Sequence, residues 1–157
     1  MANLLRRAIQ QSISDAFDFA KVFATTLYTG NGATQDIVSG LDFVANDGMV
    51  WFKSRTQSID EHALFDTKRG VQQKISSNSS AAENTRSGTV TAFNSDGVSI
   101  GGYGEVNRDG EDYVAWQFME AQGFFDIVEY TGDGIAGRTV ALDLDDGSAV
   151  FGMSIVK

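Results

Sequence analysis

The sequence predicts an all-β protein: an antiparallel β-sandwich preceded by one amphipathic helix. Three observations carry that reading. Short apolar runs alternate with turn-forming residues at intervals of about eight to twelve residues, the spacing of sandwich strands. The turns are built from glycine, asparagine, aspartate and serine, since the chain holds 17 glycines and no proline. One motif also occurs twice: Tyr28-Thr-Gly-Asn-Gly returns as Tyr130-Thr-Gly-Asp-Gly, with Phe23 and Phe125 equally far ahead of the two tyrosines. The period of roughly one hundred residues is too long for a solenoid unit and suits one small domain.

Taken in order, residues 3–20 have helical periodicity. Leu5, Ile9, Ile13, Ala16, Phe17 and Ala20, with Ser12 as the polar exception, form a stripe opposed by Arg6, Gln10, Ser14 and Asp18, and Asn3 suits the N-cap. Arg6 and Arg7 near the start and Asp15 and Asp18 near the end oppose the helix macrodipole, a cost that a partner surface would offset. Residues 1–22 are therefore expected to form a docking segment, with Leu5, Ile9, Ile13 and Phe17 as its contact residues. The competing expectation is that the stripe packs on the protein's own sheet.

From Lys21 onward the period becomes that of strands, and residues 23–124 are assigned to the sandwich. Residues 49–52 (Met-Val-Trp-Phe) form a continuous apolar run, as in a strand buried on both faces. A polar loop follows, then a strand over 63–66 and a candidate strand over 71–75. Residues 76–88 are a Ser/Ala/Asn/Thr tract with little to bury and read as surface loop. Asn94-Ser-Asp-Gly97 separates two β-type runs and predicts a hairpin with its positive-φ position at Asp-Gly. In the run 113–118, Val114, Trp116 and Phe118 share one face. Residues 125–157 are either the start of a second copy or the closing strands of the first.

The order of these blocks carries a resemblance. Tyr28-Thr-Gly-Asn-Gly, the 49–53 strand, Leu64-Phe-Asp66 with Arg69-Gly70, Thr91-Ala-Phe-Asn-Ser-Asp-Gly97 and Asp112-Tyr-Val-Ala-Trp116 resemble the concanavalin A-like, jelly-roll type modules of bacteriophage tail-fibre and other virion proteins, often present in tandem. The likeness covers residues 23–157. It implies a virion structural protein, made in the host cytoplasm, that docks to other tail or capsid proteins and serves host attachment. A homo-oligomer is implied as well, a trimer being favoured. The alternatives are a lectin-like module recognising host surface glycans and a capsid decoration protein.

Composition narrows the chemistry. A formal charge of −9 argues against a nucleic-acid phosphate surface, and no apolar run approaches a membrane span. With no cysteine and His62 as the sole histidine, neither thiolate catalysis nor a histidine-based metal or nucleophile site is expected. His62 itself, beside Asp60 and Glu61, reads as a solvated loop residue. Residues 107–112 and 143–147 collect oxygen ligands, but neither completes a calcium loop, and turn chemistry accounts for both. Gly101-Gly-Tyr-Gly104 lacks a following helix that could aim its N-terminus at a phosphate and reads as a tight turn. Trp51 and Trp116 are assigned to packing, whereas Tyr103, flanked by glycines, is the aromatic expected to be exposed and the candidate glycan contact. Paired carboxylates such as Glu111 and Asp112 are common in turns, and no nucleophile–base pair can be assembled. The expectation is a binding or structural protein, not an enzyme, with no cofactor.

Overall fold

A computed structural model describes residues 18–141 and the strand Met153–Val156. The chain forms β1 (Phe23–Thr29), β2 (Gln35–Val38), β3 (Gly48–Ser54), β4 (Ala63–Asp66), β5 (Gln73–Lys74) and β6 (Asn84–Thr85). These are followed by β7 (Val90–Asn94), β8 (Gly97–Ile100), a one-turn helix α1 (Gly104–Asn107), β9 (Asp112–Met119), β10 (Phe125–Val128) and β11 (Met153–Val156). One antiparallel sheet has the order β1-β9-β3-β4 and a second has the order β2-β8-β7.

The two sheets meet across the main core because their strands alternate. Val50, Phe52, Ala63, Phe65 and Ala115 of the larger sheet are buried against Ile37, Val90, Val98 and Ile100 of the smaller. Leu41, Phe43, Val106 and Met119 complete the cluster. Each of the larger side chains among them, valine and upward, contributes roughly 1.5–3 kcal/mol by leaving water. The opposite parity of the larger sheet makes a second cluster. Met49 and Leu64 pack there with Phe125 and Ile127 of β10, bordered by Trp51, Phe118 and Phe124. β3 is thus covered on both sides, which is why residues 49–52 are continuously apolar.

The repeated sequence keeps its strand direction but not its neighbours. β10 and β11 pair directly in parallel, Phe125 opposite Met153 and Val128 opposite Val156. The matching strands of the first copy, β1 and β3, also run parallel to each other, but β9 lies between them and is antiparallel to both.

Local chemistry corrects several expectations. Asp18 is extended (φ −94°, ψ 95°) and caps a single 3-10 turn, Phe19–Lys21, by accepting from the Ala20 amide at 3.1 Å. A helix therefore does not run through residues 18–20, because the short carboxylate bonds the backbone better as a cap than within a helix. The remainder of that segment, including Leu5, Ile9, Ile13 and Phe17, lies outside the described residues. The strand expected over 71–75 shrinks to β5, since Gly70 and Gln72 take φ of 89° and 66° and carry the chain through a turn. The tract 76–88 is not all loop, because β6 within it pairs with β5. In the hairpin, the positive φ (147°) falls on Gly97, where a Cβ would lie 2.1 Å from the Ile37 carbonyl oxygen. A helix does follow the Gly101-Gly-Tyr-Gly104 run, although it is only four residues long.

Candidate functional site

The loop after β3, β5, the turn after β6 and the segment around α1 converge on an open polar cleft of about 450 Å³. Its interior is a buried ion pair. Lys74, 4% exposed, bonds Glu105, 9% exposed, and lies 3.3 Å from Glu61. Glu61 also accepts from the Ser76 hydroxyl at 2.8 Å. That hydroxyl, followed by the Lys74 ammonium, holds the Glu61 carboxyl below its ordinary range. Removing Lys74 strands the buried Glu105 carboxylate, so the lysine holds that side chain in place.

Asp60 forms one side of the cleft. Its Oδ1 lies 3.5 Å from the Arg108 guanidinium, and its backbone carbonyl accepts from Lys53 Nζ at 3.0 Å. Its Oδ2 is buried and has no hydrogen-bond partner. At the rim stands Tyr103, 38% exposed as its glycine neighbours suggested, with the Arg86 guanidinium 6.0 Å from its ring centroid.

The twice-occurring sequence motif braces this site. In its first copy the Tyr28 hydroxyl donates to the Val106 carbonyl at 2.5 Å, and the Gly32 amide donates to Asn107 O at 3.0 Å. The fully buried Asn107 accepts from the Asn31 amide at 2.9 Å and donates to the carbonyls of Ala33 (2.5 Å) and Gly101 (3.0 Å). Gly30 fits because a Cβ there would stand 2.2 Å from Arg108 O. On the other side of α1, the Tyr113 hydroxyl donates to Gly104 O at 2.6 Å and accepts from the Arg108 amide at 3.0 Å. Burial, with the nearby Asp60 and Glu111 charges, pushes the Tyr113 phenol up. The short helix that follows Tyr103 is thus clamped from both sides. Asn107, read from sequence as a turn residue, is a buried anchor.

The remaining candidates fall elsewhere. His62 is not simply solvated: its Nδ1 accepts from the Trp51 indole N–H at 2.8 Å, which leaves the ring proton on Nε2. Burial and then the Lys53 charge hold its pKa below the ordinary value. Trp51 and Trp116 lie directly opposite in register, edge to face with centroids 5.5 Å apart, and both are half-buried outside the core between the sheets. Glu111 and Asp112 do not act as a pair. Glu111 accepts from Thr56 (2.8 Å) and Gln57 (2.7 Å), and Asp112 accepts from Thr29 (3.0 Å). Burial raises the Glu111 carboxyl, but those hydrogen bonds outweigh it and hold the group below its ordinary range. Among the described residues no group of three or more His, Asp or Glu side chains could hold a metal. Residues 143–147 lie outside them.

Of the cleft residues, sequence reading singled out Tyr103 as a glycan contact, and the acidic turn 107–112, also a candidate contact, brings in Arg108. Asp60, Glu61, Lys74, Arg86, Glu105 and Arg108 are scattered over nearly fifty positions (60–108). Beyond that turn, signals exist for two of them only: Lys74 interrupts an otherwise β-like run, and Arg86 is the only cation in the tract 76–88.

Fold and site define an all-β domain with a braced, charge-lined cleft that carries an exposed tyrosine at its rim. The chain belongs to the family described as a domain of unknown function (DUF7483), whose profile matches residues 18–155. That span takes in both sheets and the cleft. No curated protein and no solved structure matches the chain.

Proposed function

We propose that this chain is a virion structural protein of the bacteriophage tail-fibre kind, made in the host cytoplasm and serving host attachment. In this reading its sandwich, of the concanavalin A-like jelly-roll type, binds surface saccharide in the Tyr103 cleft without turning it over. An amino-terminal helix docks it to tail or capsid proteins through Leu5, Ile9, Ile13 and Phe17, and the assembly is a homotrimer. The order of the five sequence blocks supports the virion class.

The observation that carries the binding reading is the pairing of an exposed ring with polar groups in one cleft. Tyr103 offers a flat apolar surface for the C–H face of a sugar. Asp60, Arg86 and Arg108 offer acceptors and donors for its hydroxyls, and the clamped helix fixes the backbone that carries Tyr103 and Arg108 before the ligand arrives. The test is binding of the intact chain to surface polysaccharide extracted from a panel of bacteria. Tyr103→Ala, at an exposed position, is expected to weaken binding about tenfold with little change in stability. Binding that Tyr103→Ala leaves untouched, or the absence of binding across the panel, would count against the reading.

A further inference from the structure

The charges in the cleft are unequally matched. Lys74 is taken up by Glu105 and Glu61, and Arg108 is shared with Asp60 at 3.5 Å. Arg86 is exposed and its guanidinium lies over the Tyr103 ring, 6.0 Å from the centroid, yet it forms no ion pair among the described residues. On a chain of net charge −9, which repels anions generally, an uncommitted guanidinium against an exposed aromatic is a local exception. Across the same cleft, Asp60 Oδ2 is buried without a donor. With Oδ2 closed off from the surface, the Asp60 oxygen left to accept from a ligand is Oδ1, which Arg108 holds only at 3.5 Å.

A ligand that answers both groups must bring an anion to Arg86 and a hydroxyl donor to Asp60. A neutral sugar supplies only the second, and an inorganic anion lacking O–H groups supplies only the first. We infer that the cleft selects an acidic saccharide, one whose ring stacks on Tyr103 while its carboxylate pairs with Arg86 and a hydroxyl donates to Asp60. This inference rests on the saccharide-binding reading above.

Calorimetric titration of the intact chain with trigalacturonate and trimannuronate, each beside its fully methyl-esterified form, tests it. The ester keeps the ring hydroxyls and removes the charge. At low salt at least one acid is expected to bind about tenfold more tightly than its ester, as a charge-assisted pair should. Arg86→Gln, at an exposed position, is expected to erase that difference, because it lowers acid binding by more than it lowers ester binding. Asp60→Asn is expected to weaken acid and ester together, and so is Tyr103→Ala. Equal binding of acid and ester, or a preference that survives in Arg86→Gln, overturns the selectivity while saccharide binding stands. No binding of any of the four probes overturns the selectivity, and extracted polysaccharide that still binds through Tyr103 then leaves the broader reading intact.

Discussion

Asn107→Ala removes the side chain on which the repeat motif and α1 are joined. Three backbone groups lose their partner: the carbonyls of Gly101 and Ala33 and the amide of Asn31. The bond to Gly101 is wholly buried, so that carbonyl meets neither water nor another donor. Stranding it costs about 1–3 kcal/mol, and the two partly buried groups, which can turn to solvent, add about 1 kcal/mol each. The total of about 3–5 kcal/mol is a large part of the roughly 5–15 kcal/mol that holds a domain folded. At about 2–4 °C per kcal/mol for a chain of this size, the melting temperature should fall by about 6–20 °C. Thermal unfolding followed by tryptophan fluorescence measures this, with Asn31→Ala as the comparison. That variant leaves the Asn107 donors to Ala33 and Gly101 in place and should cost only about 1 kcal/mol. A melting temperature for Asn107→Ala within about 2 °C of the parent, or equal to that of Asn31→Ala, would refute the assignment of Asn107 as the anchor.

Two further perturbations probe the charges. Lys74→Met should destabilise the fold by about 3–5 kcal/mol in urea unfolding by stranding the Glu105 carboxylate, and adding Glu105→Gln should restore the greater part; a double variant as unstable as the single one contradicts the pairing. His62 has a folded pKa depressed below its ordinary 6.5 by burial and Lys53, so the unfolded chain takes up the proton first. Its contribution to stability is therefore complete above that value and is lost as the pH falls through the lower folded one. The urea midpoint of the parent should drop more steeply than that of His62→Gln on going from about pH 7 to pH 5, and parallel curves for the two proteins rule the coupling out.

The strands were legible because their signals are local. The apolar run 49–52 became β3, residues 63–66 became β4, and the turn at 94–97 became the β7–β8 hairpin. The alternation of 113–118 placed Val114, Trp116 and Phe118 on one side of β9, away from the buried Ala115 and Gln117. Period-two alternation and turn chemistry are properties of a few neighbouring residues, so the chain declares them before it folds. What those strands face is not declared. Nothing near Trp51 in sequence tells that Trp116 is its opposite or that His62 accepts a hydrogen bond from its indole N–H. Nothing near Asn107 tells that Asn31 and Ala33 lie against it. The cleft is the extreme case, since Asp60, Lys74, Arg86, Tyr103 and Arg108 come from separate loops and turns and meet only after strand pairing has set the register. By itself the sequence determined an all-β chain, most of its strands, the exposed tyrosine and a motif used twice. The tertiary structure alone decided which polar side chains share a cleft and which charges are left unmatched there, because pairing across long separations depends on loop closure and sheet registration that no local pattern encodes.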